Sequence, residues 1–88
     1  MKTTIPDNVL STELTDEGVL LNLDTGEYFG LDAVAVQMWK ALADCGTLEA
    51  AQDLLLRQFD VTEEVLSRDL ASFVATLAQR KLIVIDDE

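Results

Sequence analysis

One segment, from Gly18 to Trp39, reads GVLLNLDTGEYFGLDAVAVQMW and predicts a β-hairpin that leads directly into a helix. Its first strand covers residues 19 to 23, where apolar residues dominate. Gly26 tolerates a positive φ, so it can close a short loop that turns the chain back on itself. The second strand covers residues 27 to 31, and Asp32 is a favourable N-cap for the helix that follows. The segment thus predicts a sheet beside a helix layer.

The first strand of this hairpin has one apolar and one mixed face, because alternate side chains point to opposite sides of a sheet. Val19, Leu21 and Leu23 lie on the apolar face, whereas Leu20 and Asn22 lie on the mixed face. We therefore assign the face with three apolar side chains to the protein core.

The flanking segments complete the outline of the sheet. Residues 1 to 8 are interpreted as a loose lead-in, residues 9 to 14 as a strand and residues 15 to 18 as a turn that ends in glycine. Residues 82 to 85, LIVI, form a short β-prone run that can pair with the sheet. The acidic run Asp86–Glu88 is expected to protect it against aggregation.

Three helices are predicted from their N-cap residues and from apolar side chains at helical spacing. The third has the clearest start, because Glu63 and Glu64 occupy its first turn, where the helix dipole favours acidic side chains. The predicted ranges are residues 32 to 46, 47 to 60 and 62 to 80. The apolar stripe of the first helix consists of Val34, Ala35, Met38, Trp39 and Leu42.

The order of elements is three strands, three helices and a short terminal strand. Runs of strands followed by runs of helices are typical of α+β domains, in which the helices lie on one face of an antiparallel sheet. We therefore predict a single domain over residues 1–88, with a winged helix-turn-helix arrangement and an N-terminal three-stranded antiparallel sheet.

The composition disfavours several classes of protein. Seventeen acidic residues oppose six basic ones, and the formal net charge of −11 repels nucleic acid and anionic membranes. No apolar run approaches the roughly 20 residues that span a bilayer. Cys45 is the only cysteine, so it has no disulfide partner within the chain. We expect a cytoplasmic protein that binds neither nucleic acid nor membranes.

The sequence shows no arrangement of residues that is typical of enzymatic chemistry. There is no histidine, and the four glycines are too scattered for a phosphate-binding loop. Acidic pairs such as Asp16-Glu17 and Glu63-Glu64 lie in a turn and at a helix start, where solvation and capping account for them. We expect no enzymatic activity, no metal and no cofactor.

The strand at residues 27 to 31 is the candidate binding element, because it can form an open sheet edge. Such an edge presents unpaired N–H and C=O groups and is usually blocked by lysine, proline or a bulge. This strand contains neither lysine nor proline, and Gly30 leaves room for another backbone. An extended peptide could add to it as a further strand. Alternatively, residues 82 to 85 or a second copy of the chain covers the edge.

The third helix is expected to line the same site. At about 100° per residue, an apolar arc faces the core: Leu66, Leu70, Phe73, Val74 and Leu77. A mixed arc lies beside it, with Phe73 on the border: Val65, Asp69, Ser72, Thr76 and Arg80. The full candidate site combines strand and helix: Glu27, Tyr28, Phe29, Gly30, Leu31, Val65, Asp69, Ser72, Phe73, Thr76 and Arg80.

Several of these features, taken in order, resemble the PqqD-like family, the recognition elements that bind the leader segments of ribosomally made precursor peptides. The features that carry the resemblance are the run LNLDTGEYFGLD at residues 21 to 32, the helix start at residues 33 to 39, Phe59-Asp60-Val61, and Leu70, Phe73, Leu77 and Leu82. Together they extend over most of the chain. Lys81 departs from the pattern, because the family often has glycine at this position.

The resemblance implies a winged helix-turn-helix that binds a peptide without catalysis. In the family, the leader docks as an additional antiparallel strand on the third strand and lies against the third helix, which correspond to residues 27–31 and 62–80. The chain looks most like the small leader-binding protein of split lasso-peptide systems, which presents the precursor to a separate, cysteine-protease-like leader peptidase. Similar free-standing proteins serve radical-SAM maturases, and that alternative stays open.

Two further alternatives concern other partners. A winged-helix regulator would bind DNA, but the third helix offers only Arg68 and Arg80 against three acidic residues. An assembly subunit would dimerise through the open strand edge. We expect a monomer or a weak homodimer.

Overall fold

The computed structural model describes residues 1–86 and has the predicted α+β architecture. The strands are β1 (Lys2–Thr4), β2 (Val9–Glu13), β3 (Gly18–Asn22), β4 (Tyr28–Leu31) and β5 (Val84–Asp86). The helices are α1 (Ala33–Cys45), α2 (Leu48–Gln58) and α3 (Glu63–Gln79). Strands β2, β3 and β4 form an antiparallel meander that the three helices follow, which confirms the predicted fold. The predicted acidic terminus includes Asp87 and Glu88, which lie outside the described residues.

The predicted capping residues begin all three helices. Asp32 Oδ1 accepts a hydrogen bond from the N–H of Ala35 at 2.8 Å. The hydroxyl oxygens of Thr47 and Thr62 each accept one at 3.2 Å. Gly46 follows α1 with a φ of 75°, a left-handed conformation that costs glycine little. Because α1 starts directly after β4, the Asp32 cap sets the direction in which the helix leaves the strand.

The core lies between the helices and one face of the meander. The apolar arc predicted for α3 is confirmed, because Leu66, Leu70, Val74 and Leu77 are buried and Phe73 is half-buried against them. Burying side chains of this size contributes roughly 1.5–3 kcal/mol each. The inner face of α3 is thereby committed to the core, and the residues of the mixed arc remain accessible.

The face of β3 that packs against the helices is opposite to the predicted one. Leu20 is 0% exposed, whereas Leu23 is 55% exposed. Leu20 lies opposite Phe29 of β4, and both side chains pack in or against the core cluster. The prediction that Val19, Leu21 and Leu23 face the core is therefore wrong. It failed because it counted apolar side chains and did not consider how a polar one can be buried.

Asn22, on the buried face, is hydrogen-bonded through both ends of its amide. Its Oδ1 accepts from the N–H groups of Asp24 and Thr25 at 2.9 and 3.2 Å, and its Nδ2 donates to the carbonyl oxygen of Lys81 at 3.4 Å. Lys81 has a φ of 60°, a region that favours glycine. This is the position at which the sequence departs from the PqqD-like pattern. Asn22 thus joins the β3–β4 loop to the end of α3.

Replacing Asn22 with leucine is expected to lower the free energy of unfolding by about 1–3 kcal/mol, because the N–H groups of Asp24 and Thr25 lose the acceptor of their part-buried hydrogen bonds. Thermal unfolding followed by circular dichroism measures the change. Thr25→Ala is the matched control, since the Thr25 hydroxyl accepts an exposed hydrogen bond from the N–H of Glu27 in the same loop. Equal losses of stability in the two variants would contradict a special role for the buried amide.

Gly18 is required by close packing and not by a turn. It is the first residue of β3, and a Cβ at this position would lie 3.1 Å from both the carbonyl oxygen of Thr12 and Cγ2 of Val36. Contacts this short force neighbouring atoms to move. The absence of a side chain lets α1 approach the sheet, and the turn itself ends before Gly18.

The two terminal strands form a separate sheet. β1 pairs antiparallel with β5, with Thr3 opposite Ile85. The interpretation of residues 1 to 8 as a loose lead-in is wrong for β1, because the N–H of Thr3 also donates to the carbonyl oxygen of Gly46 at 3.0 Å. The expectation that residues 82 to 85 can pair with the larger sheet is also wrong. Among the described residues, the outer edge of β4 has no strand partner.

Candidate functional site

A groove of about 350 Å³ lies between β4, the first turns of α1 and α3. We call it the β4–α1–α3 groove. Four of its lining residues belong to α3: Asp69, Ser72, Phe73 and Thr76. They lie on one face of the helix, because residues three and four apart share a face. The complete lining is Phe29, Asp32, Val34, Ala35, Met38, Asp69, Ser72, Phe73 and Thr76. The groove therefore runs beside the strand edge that has no partner.

Much of the groove lining is apolar. Phe29 and Phe73 are half-buried and pack against the core cluster, so that the protein holds one side of each ring while the other remains accessible. Met38 of α1 is almost fully buried, whereas Val34, one turn earlier in the same helix, is exposed. Concave surfaces of this kind bind ligands through apolar side chains, with a few polar groups to set orientation.

The charged groups of the groove are acidic. The carboxylate of Asp69 is 61% exposed, and Nε of Arg68 approaches it only to 3.9 Å at the surface. Asp32 contributes a second carboxylate, although one of its oxygens already caps α1. Within residues 1–86, no lysine or arginine belongs to the lining. A ligand with a positively charged group next to an apolar one would match this surface.

Arg80 contacts the site through Phe29. Its guanidinium carbon lies 5.4 Å from the centroid of the Phe29 ring, within the range of cation–π interactions. The residue caps the C-terminal end of α3, so this contact connects that end of the helix to β4.

The backbone of β4 presents hydrogen-bonding groups to its open edge. The N–H of Asn22 donates to the carbonyl oxygen of Glu27 at 3.0 Å, which makes these two residues a hydrogen-bonded pair. Bonded and non-bonded pairs alternate along an antiparallel ladder. Tyr28 and Gly30 occupy the non-bonded positions, opposite Leu21 and Val19. Their N–H and C=O groups consequently point away from β3, toward solvent.

The structure brings most of the predicted site residues together. Phe29, Asp69, Ser72, Phe73 and Thr76 line the groove, and the peptide groups of Tyr28 and Gly30 lie along its edge. The other four have different positions, and of these Arg80 contacts the Phe29 ring from outside the lining. Glu27 precedes β4 and turns its carbonyl toward β3, Leu31 is buried in the core, and Val65 is exposed on α3 but outside the lining.

Four lining residues, the N-cap of α1 and three from the helix itself, were not among the predicted ones: Asp32, Val34, Ala35 and Met38. They had been interpreted as a helix cap and as part of the apolar stripe. Val34 and Met38 are four residues apart, so they form a row on one side of the helix. The sequence did contain a signal for this side of the groove, namely an apolar residue at the start of a helix that directly follows the candidate strand.

The titration and metal-binding properties of the described residues add no further chemistry to the groove. The carboxyl pKa of Glu49 is lowered because the N-terminal ammonium group of Met1 donates to it, but Glu49 is not part of the lining. Residues 1–86 contain no group of three acidic, histidine or cysteine side chains that could hold a metal ion. None of the described helices combines the length and apolar character needed to cross a membrane.

A family model and two solved structures are similar to this chain. The family model described as Coenzyme PQQ synthesis protein D (PqqD) matches residues 17–83. Among solved structures, the chain is similar to TbiB1 in complex with the TbiA(beta) leader peptide, with 38% sequence identity, coverage of 100% of both chains and a TM-score of 0.87. No curated protein sequence matches it.

A second structure, lasso peptide synthetase B1 complexed with the leader peptide, shares the fold. Its TM-score is 0.82 at 20% identity, over 97% of this chain and 100% of the other. The family model spans most of the chain, from β3 to the residues before β5. It therefore includes both the open strand and the helix that line the groove, and the chain belongs to the PqqD family.

Proposed function

We propose that this chain binds the leader segment of a ribosomally made precursor peptide and has no catalytic activity of its own. The leader adds to β4 as an antiparallel strand, over residues 27–31, and lies against α3, over residues 62–80. The observation that carries the proposal is an unpaired strand edge directly beside an apolar groove. The likeness to TbiB1, whose structure is a complex with a leader peptide, supports it.

The added strand gains affinity from the backbone and specificity from side chains. The outward N–H and C=O groups of Tyr28 and Gly30 pair with the peptide backbone, which is independent of the peptide sequence. Alternate side chains of the peptide then point into the groove, because successive residues of a strand face opposite sides. Those side chains contact Phe29 and Phe73, so apolar or aromatic residues at alternate leader positions are favoured.

The bound precursor is delivered to a separate leader peptidase of the cysteine-protease type, in a lasso-peptide system. One of the two similar structures, which shares the fold, is a lasso peptide synthetase B1 complexed with a leader peptide, and this favours the lasso-peptide setting. A radical-SAM maturase is the alternative receiver, and the description of the family by its role in PQQ synthesis fits it. A role as a DNA-binding regulator is disfavoured, because α3 carries acidic residues in its first turn and presents Asp69 to the groove.

Direct binding tests the proposal. A fluorescently labelled synthetic leader, from the precursor encoded beside this chain, is expected to bind with a dissociation constant between sub-micromolar and micromolar, or about −8 to −10 kcal/mol. Fluorescence anisotropy measures it. A scrambled leader of the same composition is the control. Absence of saturable binding, or equal binding of both peptides, would contradict the proposal.

Asp69→Asn is expected to weaken leader binding by about twofold to fivefold, because an exposed carboxylate contributes up to about 1 kcal/mol to a charge pair. The melting temperature stays unchanged, since the side chain is largely exposed and carries no buried hydrogen bond. Asp53→Asn on α2 removes the same charge outside the groove and serves as the control. The difference between the two variants should shrink as salt is added. Equal effects at low salt would show that only net charge matters.

A further inference from the structure

The β4–α1–α3 groove is charged unevenly along its length. Two carboxylates line it, Asp69 from α3 and Asp32 at the end of β4 where α1 begins. At the other end, the guanidinium carbon of Arg80 lies 5.4 Å from the centroid of the Phe29 ring. Arg80 follows Asp69 by about three turns of helix, or roughly 16 Å along its axis. Glu27 precedes β4 at the Arg80 end, so the two charges there offset each other. We call the end with Asp32 and Asp69 the acidic end.

The acidic end is not neutralised by neighbouring side chains among residues 1–86. Arg68 approaches Asp69 only to 3.9 Å, and the two side chains are 75% and 61% exposed. Such an exposed pair is weak, and Arg68 does not belong to the groove lining. Asp32 accepts a hydrogen bond from the N–H of Ala35, which uses one oxygen and leaves the negative charge in place. The acidic end therefore presents two negative charges to a bound peptide.

The direction of the added strand decides which part of the leader reaches the acidic end. In an antiparallel strand, the N-terminal part of the leader lies at the C-terminal end of β4, beside Asp32. We call the leader residue whose side chain contacts Phe29 and Phe73 the anchor. Asp69 lies one turn before Phe73 in α3, or about 6 Å along the axis, and two residues of a strand span about 6.6 Å. The side chain two residues before the anchor is therefore on the same face and level with Asp69.

We propose that the acidic end selects leaders with lysine or arginine two residues before the anchor, and that this charge order favours the antiparallel direction of the strand. The inference rests on the proposed leader binding. The backbone of an open edge can pair with a peptide in either direction, and two phenylalanine rings recognise an apolar side chain without setting a direction. A parallel strand would place the basic residue at the Arg80 end, where it meets no net attraction. Asp69 is therefore a specificity-determining residue for the leader.

A charge-reversal cycle tests the proposal. An alanine scan of the synthetic leader, from the precursor encoded beside this chain, first locates the anchor as the apolar residue whose replacement weakens binding most. We expect a lysine or arginine two residues earlier, and replacing it with glutamate should weaken binding to the unmodified chain by about fivefold to tenfold. The variant Asp69→Lys should reverse this preference and bind the glutamate peptide at least threefold more tightly than the natural leader. Fluorescence anisotropy at low salt measures all four affinities.

Asp53→Lys on α2 is the matched control, because it makes the same charge change at an exposed position outside the groove. It should keep the preference of the unmodified chain for the natural leader. Circular dichroism checks that Asp69→Lys is folded, as expected for a side chain that is largely exposed. Asp69→Asn, combined with glutamine in place of the basic leader residue, should give the same sign of coupling without reversing a charge.

The outcomes distinguish this inference from the proposed function. If the leader binds but has no basic residue two positions before the anchor, the inference is overturned and leader binding stands. The same holds if Asp69→Lys and Asp53→Lys show equal preferences for the two peptides. Coupling of Asp69 to a basic residue on the C-terminal side of the anchor would indicate a parallel strand and would also overturn it. If the leader shows no saturable binding, the proposed function fails and the inference fails with it.

Discussion

Gly30→Pro is expected to reduce leader affinity by about tenfold to hundredfold while leaving the fold intact. Proline removes the outward N–H that would pair with the peptide, and the peptide carbonyl facing it loses its partner at a cost of about 1–3 kcal/mol. The β3–β4 ladder should survive, because Gly30 occupies a non-bonded position and proline is tolerated at the solvent side of edge strands. Anisotropy with the labelled leader measures the loss, and circular dichroism checks the fold.

Gly30→Ala is the matched control for this experiment. A Cβ at residue 30 has no neighbour within 4 Å, and alanine keeps the N–H, so binding should change by less than about threefold. A leader that is N-methylated at alternate backbone positions tests the same hydrogen bonds without altering the protein. If Gly30→Pro remains folded and binds normally, strand addition to β4 is excluded.

Phe73→Ala is expected to weaken leader binding by about tenfold or more and to destabilise the fold by about 1–3 kcal/mol. The ring both lines the groove and packs against the core cluster, so its removal takes apolar surface from ligand and core together. Binding is therefore measured at a temperature where chemical denaturation shows the variant to be fully folded. The expected loss of affinity then reports the groove alone.

Phe59→Ala separates these two effects. Phe59 is also a half-buried phenylalanine against the core cluster, but it follows α2 and does not line the groove. We expect it to lose stability without losing leader affinity. If Phe59→Ala and Phe73→Ala weaken binding equally, the loss arises from general destabilisation, and Phe73 has no specific role in the site.

The local signals in the sequence predicted the elements well, since each depends on a few neighbouring residues. Asp32, Thr47 and Thr62 cap the three helices because a side-chain oxygen needs only to reach an N–H three residues ahead. Gly26 closes the hairpin because its positive φ is a local property. The strand at residues 27 to 31 was a candidate open edge for the same reason, as its lack of proline and lysine is visible in the sequence. Whether residues 82 to 85 cover that edge was left open, and the pairing of β5 with β1 decided it.

The errors concern contacts between residues far apart in the chain. The strand β1 forms because Lys2–Thr4 meets β5 at the other end of the protein, and three residues carry too little pattern to predict it. The contribution of α1 to the groove lining, through Val34, Ala35 and Met38, depends on how that helix lies against α3. Val34 and Met38 looked alike in the helical stripe, but only the packing of the helices decides which of them remains accessible.

The sequence by itself determined the order of the meander strands and the helices, the class of fold, the candidate strand and the arc of α3 beside it, because capping, turns and periodicity act over a few residues. Only the tertiary structure decided which face of β3 is buried. A strand pattern shows two faces but not which one the helices cover, and here Asn22 could be buried because Lys81, Asp24 and Thr25 meet its amide. That choice left Leu10, Leu21 and Tyr28 on the outside.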